Sequence, residues 1–348
     1  SRVSRGLGDV YKRQMKNNLV VTGGAGYCGS RLVPQLLDKG YNITVYDVMY
    51  FGSDILPTEH PNLTVIEGDI RDTQKIAAAF VDCDTVIHLA CISNDASFEL
   101  DEGLSTTINF DAFEPMVLAA KSAGVQRFVY ASSSSVYGVS NKKHVTEDHP
   151  LVPLTLYNKY KGMCEPILHT HADDRFTGVI FRPATVCGYA PRQRLDLSVN
   201  ILTNHAITNG KIRVFGGSQL RPNLHIQDYC DLVSLLIEAP KDRVQGEIFN
   251  CGYQNMSIME IAQLVKNVVE EMLPGRKPIE IITEPTDDIR SYHINSEKIK
   301  KSLGFAPKHS IEDAIRELVL LFQEEKLPNS MTDDKYYNVR TLKKKRVS

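Results

Sequence analysis

The chain has 348 residues, and its 40 lysines and arginines against 42 aspartates and glutamates give a formal charge of −2. A hydrophobic content of 42% excludes an intrinsically disordered protein, and the near-neutral charge gives no general electrostatic basis for binding nucleic acid or an anionic membrane. No uncharged apolar run reaches the roughly 18 residues of a membrane span, and the length predicts one large domain with a smaller companion.

The chain begins with a polar, basic segment, residues 1–14, that has no continuous apolar core and therefore does not resemble a secretory signal. Met15 stands directly before the first strand-like run. We expect Met15 to be the native start and residues 1–14 to be a non-native or disordered leader. A short transit peptide is the less favoured alternative, because Asp9 is acidic and the segment is short.

Short β-branched runs alternate with helical stretches after Met15. Strands are predicted at residues 19–22, 42–47, 63–67, 85–90, 127–131 and 177–181, and helices at residues 30–39, 73–80, 107–123 and 157–169. Apolar strands that alternate with helices predict a parallel sheet with helices covering both faces.

Beyond residue 182 the sequence is more polar and contains more glycine and proline. Helices are predicted at residues 227–238, 257–272 and 311–324, and a strand at residues 247–251. The chain ends with a basic run, Lys343-Lys344-Lys345-Arg346. We interpret this run as part of a solvated terminus rather than as a nucleic-acid-binding arm.

Seven cysteines are scattered along the chain without a C-x-x-C pair, which argues against a zinc ribbon, a redox dithiol or a disulfide scaffold. We therefore expect reduced thiols in a cytoplasmic protein. The ten histidines show no H-E-x-x-H spacing. The sequence predicts no structural metal.

A glycine-rich segment, residues 22–29 (TGGAGYCG), lies between the first predicted strand and the first predicted helix. Gly23 permits a tight turn, Gly26 lets the backbone approach a pyrophosphate, and Gly29 allows the helix to pack closely on the strand. The helix N-terminus offers free N–H groups to the anion. Asp47, which ends the second strand, can accept both ribose hydroxyls and would repel a 2′-phosphate. The pattern predicts dinucleotide binding, with NAD favoured over NADP.

The T-G-x-x-G-x-x-G spacing and several later motifs together resemble the extended short-chain dehydrogenase/reductase family, in its branch of nucleotide-sugar epimerases and dehydratases. The resemblance runs from about Val20 to Phe305. The later motifs are Gly68-Asp69-Ile70-Arg71, His88-Leu89-Ala90-Cys91, Ser132-Ser133-Ser134-Ser135-Val136-Tyr137-Gly138, Arg182-Pro183 and Arg221-x-x-x-His225-x-x-Asp228.

This resemblance implies an α/β fold, with a Rossmann-type doubly wound parallel sheet and a smaller C-terminal α/β substrate domain. Residues 15–188 would form the NAD-binding domain, to which residues 222–255 return. Residues 189–221 and 256–328 would form the substrate domain, followed by a tail at residues 329–348. The resemblance also implies a homodimer. The implied NAD contacts are Gly23, Gly26, Tyr27, Cys28, Gly29, Asp47, Asp69, Ile70, Leu89, Ala90, Asn109, Tyr157 and Lys161.

Tyr157 and Lys161 form the only Y-x-x-x-K of the chain, and their spacing on a predicted helix puts both side chains on one face. A lysine ammonium near a phenol stabilises the phenolate, so Tyr157 is predicted to act as a base near neutral pH. Tyr160 is the competing tyrosine, on a different face of the helix. By resemblance, Ser133 hydrogen-bonds the reacting substrate oxygen, and Lys161 also holds the nicotinamide ribose.

The two residues after Ser133 distinguish the reactions of this family. Its 4,6-dehydratases carry Asp-Glu there and its decarboxylating branch carries a Glu in this segment, whereas this chain has Ser134 and Ser135. The resemblance therefore implies C4 epimerisation of a nucleotide sugar through a transient 4-keto intermediate. A dehydratase or reductase of the same family is the alternative, and a non-catalytic dinucleotide-sensing scaffold is an alternative of another class.

The implied substrate-binding residues are Asn94, Ser133, Arg192, Arg221 and Arg290. Arg221 occupies the position at which the family binds the nucleotide diphosphate. Arg290, in a segment that resembles the family's D-x-R-x-Y, would replace an arginine that is Glu284 here. Arg192 is predicted to reach the diphosphate together with Arg194, although an exposed surface pair explains these two arginines equally well.

Overall fold

The computed structural model describes residues 17–140, 142, 144–287 and 291–345. The expected leader at residues 1–14 and the expected substrate contact Arg290 lie outside these ranges. Within them, no helix combines the length and the apolar character needed to cross a membrane. All seven cysteines are described, and each is a free thiol.

A parallel sheet of seven strands forms the centre of the fold. Its strands are, in spatial order, β3 (Leu63–Glu67), β2 (Asn42–Asp47), β1 (Asn18–Thr22), β4 (Thr85–His88), β5 (Arg127–Ala131), β6 (Thr177–Pro183) and β10 (Glu247–Cys251). Every neighbouring pair is parallel, which confirms the predicted Rossmann-type sheet. The strand order reverses between β1 and β4, and ligands bind beyond the carboxyl ends of the strands at such a point.

Helices cover both faces of this sheet, because alternate residues of each strand point to opposite sides. In β1, Leu19 and Val21 belong to one apolar layer and Val20 to the other. The helices of the first layer are α1 (Tyr27–Asp38) and α8 (Ile226–Glu238), and those of the second are α2 (Thr73–Ala79), α5 (Phe113–Ser122) and α6 (Leu156–His171). Helix α1 begins directly after Gly26, three residues earlier than predicted.

The chain between β4 and α5 departs from the single helix predicted at residues 107–123. It forms α3 (Asp95–Phe98), α4 (Glu102–Thr106) and a π-helical turn at Thr107–Asp111. Asp101 starts α4 early, because its carboxylate accepts a hydrogen bond from the backbone N–H of Leu104. Pro115 has no N–H to donate to the carbonyl of Asp111, so the helical register changes at this point.

The smaller domain packs around its own apolar cluster. It contains the parallel pair β8 (Lys211–Phe215) and β12 (Glu280–Glu284), with α7 (Ser198–Asn209), α10 (Ile258–Met272) and α12 (Ile311–Gln323). A second sheet is formed by β7 (Thr185–Cys187), β9 (Leu220–His225) and β11 (Gln254–Ser257), and two short helices are α9 (Lys241–Val244) and α11 (Glu297–Leu303).

In the described part of the tail, the residues before the basic run pack on the protein, contrary to the expectation of a solvated terminus. We call residues 329–345 the C-terminal strap; they end in α13 (Asn338–Lys345). Tyr336 and Tyr337 are buried in an apolar cluster with Leu195, and Leu342 is also buried. The apolar residues that precede the basic run determine the packing. The side chains of residues 343–345 are exposed.

His88, at the end of β4, is buried under the carboxyl edge of the sheet. Its Nδ1 lies 2.7 Å from the hydroxyl oxygen of Thr22 on the neighbouring strand β1. Burial lowers the pKa of His88 to about 3, and the positive charge of Lys161 contributes in the same direction. The imidazole is therefore neutral at neutral pH.

This buried imidazole should make the stability of the protein fall with acidification. Between about pH 6.5 and pH 3 the unfolded chain binds a proton at His88 that the folded chain does not, so the free energy of unfolding falls as the pH is lowered. The contribution of one such group is at most about 1.4 kcal/mol per pH unit. Urea unfolding at pH 7, 6 and 5 should show a smaller pH slope for His88→Asn than for the unsubstituted protein. Equal slopes would contradict the assignment.

Candidate active site

A cavity opens at the carboxyl ends of the central strands, where the strand order reverses. Its wall includes residues that follow β1, β2, β4 and β5, together with residues of α6 and of the segment after β7. The sequence predicted the contributions of these central strands and of α6. The structure brings most of the predicted site residues into this one cavity.

The glycine-rich segment forms the floor of the cavity beside the N-terminus of α1. Gly23 has a φ of +75°, and a Cβ atom there would lie 2.6 Å from the backbone nitrogen of Ala90. A Cβ atom on Gly29 would lie 2.6 Å from the carbonyl oxygen of Gly23. No acidic side chain stands in the first turn of α1, and Gly26 caps it without a side chain. The first N–H groups of the helix are thus available to an anion.

Asp47 stands at the end of β2 and lines the same cavity. Its two carboxylate oxygens accept hydrogen bonds from the backbone N–H groups of Ala25 (3.0 Å) and Met49 (2.9 Å), which fix the carboxylate beside the glycine-rich segment. Burial raises the pKa of Asp47, whereas these backbone donors lower it. Each oxygen keeps a second lone pair for the hydroxyls of a ribose.

Asp47 should make the protein select NAD over NADP. A carboxylate gains hydrogen bonds from two ribose hydroxyls but repels a 2′-phosphate, so NAD should bind at least about 10- to 100-fold more tightly. Calorimetric titration of the protein with the two dinucleotides measures this ratio. Asp47→Asn should reduce the ratio because it removes the repelling charge. Equal affinities for NAD and NADP in the unsubstituted protein would contradict the prediction.

The expected adenine contacts Asp69 and Ile70 also line the cavity. The Asp69 carboxylate is already paired with the Arg71 guanidinium, with 2.5 Å between Arg71 Nη2 and Asp69 Oδ2. This ion pair and burial act in opposite directions, and the net effect is a lowered pKa of Asp69. Tyr46 donates its hydroxyl to the backbone carbonyl of Asp69 and so fixes this turn.

Asn109, an expected NAD contact, lies behind the cavity wall. Its side chain accepts a hydrogen bond from the backbone N–H of Ile92 and donates one to the carbonyl of Ile92. Both ends of the amide are therefore occupied in fixing the loop after β4. Leu89 and Ala90, which precede this loop, do line the cavity as expected. The structure places Asn109 behind the wall, where it positions this loop, and a contact of Asn109 with NAD stays a prediction.

Ser133, Tyr157 and Lys161 all line the cavity, with Ser133 after β5 and the other two on α6. Ser133 Oγ lies 2.7 Å from Ser135 Oγ, and Ser135 Oγ donates in turn to Asn158 Oδ1. Lys161 is buried and donates from Nζ to the carbonyl of Ala131 over 2.8 Å. The two serines therefore belong to one hydroxyl chain that reaches helix α6.

Burial raises the pKa of Tyr157 well above its usual value, and the neighbouring Cys91 and Asp95 act in the same direction. Arg194 opposes this effect. The Y-x-x-x-K spacing predicts a lowered pKa instead. Without a ligand, burial outweighs the charge of Arg194, and a further positive charge in the cavity would lower the pKa of Tyr157.

Tyr160, the competing tyrosine, is directed away from the cavity. Its ring packs on Phe98 and Phe110 at centroid distances of 5.8 and 5.1 Å. This packing assigns Tyr160 to an aromatic cluster, so of the two competing tyrosines of α6 it is Tyr157 that lines the cavity.

A buried ion pair under the serines was not found from the sequence. The Arg182 guanidinium binds the Glu165 carboxylate, with 2.6 Å between Arg182 Nη2 and Glu165 Oε2 and each side chain 3% exposed. Glu165 also accepts a hydrogen bond from Ser132, and Arg182 donates to Tyr137. The pair fixes both ends of the turn that carries Ser133. Glu165 lies four residues after Lys161 and therefore on the same face of α6. This i,i+4 spacing is the sequence signal that identifies it.

Arg192 and Arg194 are buried in the cavity wall, so the alternative of an exposed surface pair is wrong. Their exposed fractions are 3% and 7%. Arg192 Nε and Arg194 Nη2 are buried without a hydrogen-bond partner among the described residues. Two buried guanidinium groups with N–H donors still unpaired suit an anion such as a pyrophosphate. Together with the glycine floor and Asp47, they fit a bound dinucleotide.

The remaining expected substrate residues border the cavity in different ways. Asn94 lines it and accepts a hydrogen bond from the backbone N–H of Ser97, so its oxygen caps α3. Arg221 stacks its guanidinium over the ring of Tyr292 at 5.1 Å, and Tyr292 lines the cavity. Two further lining residues, Phe51 and Asn338, were not predicted. Nothing in their local sequence distinguishes them.

Comparison with known proteins identifies relatives over most of the chain. The sequence pattern of the NAD dependent epimerase/dehydratase family matches residues 19–252. The low-salt glycan biosynthesis protein Agl12 of Haloferax volcanii is 28% identical, over 87% of this chain and 97% of that protein. UDP-glucose 4-epimerase of Lactobacillus helveticus is 28% identical, over 85% and 94% respectively. The crystal structure of the dTDP-glucose 4,6-dehydratase DesIV from Streptomyces venezuelae, with NAD and TYD bound, superimposes with a TM-score of 0.78 at 24% identity, covering 89% of this chain and 98% of that chain.

Proposed function

Because the chain belongs to the NAD dependent epimerase/dehydratase family, and is therefore an NAD-dependent enzyme, we propose that it is a nucleotide-sugar 4-epimerase that acts through a transient 4-keto intermediate. The observation that supports this choice is the composition of the turn after β5. Ser133 lines the cavity with Tyr157 and Lys161, and the next two residues are serines that carry no acid or base. Epimerisation at C4 needs only the Ser, Tyr and Lys set and retained NAD.

Each residue of this set has a distinct part in the proposed reaction. NAD, when bound, supplies the acceptor and then the donor of hydride. Tyr157 removes the proton of the sugar hydroxyl at its phenolic oxygen and later returns it. Ser133 hydrogen-bonds the same sugar oxygen, and its own position is fixed by Ser135 and Asn158. The Lys161 ammonium stabilises the phenolate while the Ala131 carbonyl holds it in place.

One observation favours a dehydratase as the second candidate. Asp95 lines the cavity near Tyr157, and a carboxylate there could exchange protons with a sugar carbon. However, Asp95 accepts a hydrogen bond from the Thr155 hydroxyl over 2.6 Å, at the start of α6. The bond gives the carboxylate a structural role at the N-terminus of this helix. We therefore favour the epimerase.

The outcome of the reaction distinguishes the two candidates. Incubation with a panel of nucleotide sugars, followed by mass spectrometry and stereochemical analysis, should give an epimer of unchanged mass. In D₂O no deuterium should enter the carbon skeleton, and Asp95→Asn should retain epimerase activity. A product lighter by one water, with deuterium at carbon and loss of activity in Asp95→Asn, would establish the dehydratase. Stoichiometric release of NADH would establish a dehydrogenase, and no turnover of any sugar would favour the sensing scaffold.

We propose that the enzyme is a homodimer, as the resemblance implies, and that it lies in the cytoplasm, as the cysteine pattern predicts. Free thiols at all seven cysteines support a reducing compartment. Helices α5 and α6 pack together on one face of the sheet and expose Leu118 (43%) and Met163 (38%) to solvent. Light scattering should give twice the mass of the 39.0 kDa chain, and Leu118→Lys with Met163→Lys should give monomers. A monomeric unsubstituted protein would refute the dimer.

A further inference from the structure

The C-terminal strap is held against the segment that carries Arg192 and Arg194. The backbone N–H of Leu195 donates to the carbonyl of Tyr336 over 2.9 Å, and Tyr337 donates its hydroxyl to the carbonyl of Ser330. Tyr336 and Tyr337 are buried in the cluster that also contains Leu195. These contacts fix the position at which α13 begins.

Asn338, the first residue of α13, joins this strap to the cavity wall. Its backbone N–H donates to Asp196 Oδ2 over 2.9 Å, and its Nδ2 donates to Ser93 Oγ over 2.8 Å. Its Oδ1 accepts a hydrogen bond from Arg192 Nη2. Asp196 in turn pairs with Arg194 over 2.8 Å. One buried asparagine thus orients Arg192 directly, and Arg194 through Asp196.

The guanidinium of Arg192 lies on the dinucleotide side of the cavity. Its backbone N–H donates to Ser30 Oγ in the first turn of α1, over 3.0 Å. Its side chain stacks on Phe51, with 3.7 Å between guanidinium carbon and ring centroid. Phe51 follows β2, the strand that ends in Asp47. These partners surround the glycine-rich floor and not the Ser133 end of the cavity.

Arg194 lies close to the same floor. Tyr27 and Cys28, at the start of α1, interact electrostatically with its guanidinium, as does the cavity tyrosine Tyr157. Its Nη1 donates to Ser93 Oγ over 3.4 Å, and its Nη2 is buried without a partner in the described part of the chain. Both guanidinium groups therefore interact with residues at the start of α1, and each has one buried nitrogen without a hydrogen-bond partner among the described residues.

The buried guanidinium groups of Arg192 and Arg194 repel each other, and this repulsion is unfavourable unless an anion lies between them. Burial and the charge of Arg194 lower the pKa of Arg192 to about 9. Asp196 is the carboxylate paired with Arg194, and the Asp47 carboxylate is held by the backbone. A ligand that brings two negative charges to this point would satisfy the unpaired donors and offset the repulsion.

We propose that the C-terminal strap, through Asn338, holds Arg192 and Arg194 as a clamp on the pyrophosphate of NAD, opposite the N-terminus of α1, and so retains the cofactor through turnover. Arg192 is thereby reassigned from substrate binding to cofactor binding. A nucleotide sugar also carries a diphosphate, but apart from Asn338 the partners of Arg192 are Ser30 of α1 and Phe51 after β2, which lie in the dinucleotide half. The clamp concerns the cofactor alone, so its failure and that of the proposed epimerase are distinguishable.

The experiment measures ligand binding by calorimetry, independently of activity, on the full chain freed of NAD. The probes are NAD and ADP-ribose, which contain the pyrophosphate, adenosine, which does not, and UDP, which stands for the substrate diphosphate. Asn338→Ala and Arg192→Met should weaken NAD and ADP-ribose by about 10- to 100-fold and speed NAD release to a similar extent. Adenosine and UDP should bind as before. Lys343→Ala, an exposed change on the same strap, should have no effect.

A double-substituted protein tests whether Asn338 acts through Arg192. Because both residues would belong to one clamp, Asn338→Ala should add little in an Arg192→Met background. Arg192→Lys keeps the charge without the stacked guanidinium and should give an intermediate loss, which covers the case that Arg192→Met does not fold. Unchanged NAD affinity, or a loss of adenosine binding equal to that of NAD, would overturn the proposal. Weakened UDP with unchanged NAD would assign the arginines to the substrate instead.

Discussion

Replacing Tyr157 with phenylalanine should lower kcat by about 10²–10⁴ while NAD and nucleotide-sugar binding are retained. The substitution removes the phenolic oxygen and keeps the ring that lines the cavity. The effect should be large, because the phenolic oxygen is the only proposed acceptor of the sugar hydroxyl proton and phenylalanine supplies no other. Steady-state kinetics with the epimerised sugar, combined with calorimetry for both ligands, separates the loss of catalysis from a loss of binding.

Tyr160 provides the matched control for this substitution. It lies on the same helix, and its ring packs on Phe98 and Phe110 away from the cavity. Tyr160→Phe should therefore leave kcat within about twofold of the unsubstituted enzyme, because no reacting group contacts its hydroxyl. If both substitutions lowered kcat equally, the loss would reflect damage to α6 and Tyr157 could not be assigned as the base.

The parts of the fold that follow from local patterns were predicted well. The strands β2, β3, β5 and β10 have the predicted bounds, because each is a short β-branched or aromatic run that ends at polar or glycine residues. The glycine-rich floor was predicted equally well from the sequence. A Cβ atom on Gly23 or Gly29 would lie 2.6 Å from a backbone atom, so these positions require glycine. The two glycines are therefore a signal that can be read from the sequence.

The residues that were not predicted from the sequence make their contacts with residues that are distant along the chain. Asn338 binds Ser93 and Arg192, which are 245 and 146 residues away. No local spacing can predict such a contact. The contact between Asn109 and Ile92 was not predicted for the same reason, because it is determined by how the loop after β4 folds back on the helix. Burial of Arg192 likewise depends on Phe51 and the strap, neither of which is marked by a motif.

Glu165, which lies under the turn that carries Ser133, was only partly predictable from the sequence. Glu165 is spaced four residues from Lys161, so it lies on the same face of α6 as Tyr157 and Lys161, and its partner Arg182 belongs to a recognised motif. The spacing was visible, but the pairing required knowledge that β6 lies next to β5. Such pairs become predictable once the order of the strands is known.

Replacing Lys161 with methionine should weaken NAD binding and also lower kcat, by about 10²–10³. The ammonium is buried, is held by the carbonyl of Ala131, and lies 5.2 Å from the centre of the Tyr130 ring. We propose that this ammonium stabilises the Tyr157 phenolate, so its removal should raise the pKa of that phenol further. Since the base must be deprotonated, the pH at which kcat/KM increases should move upward in the variant. A pH–rate profile measured alongside NAD affinity tests both effects.

Two further substitutions determine whether the charge or the packing of Lys161 is responsible. Lys161→Arg keeps a permanent positive charge and should restore part of the activity, with the pH profile moved back toward that of the unsubstituted enzyme. Lys159→Met removes an exposed lysine from the same helix and should change neither property. If Lys161→Met lowered kcat without moving the pH profile, the ammonium would not be acting on the phenol. The role of Lys161 would then be limited to holding the cofactor, and Arg194, the cation that already lowers the pKa of Tyr157, would be the next candidate for activating it.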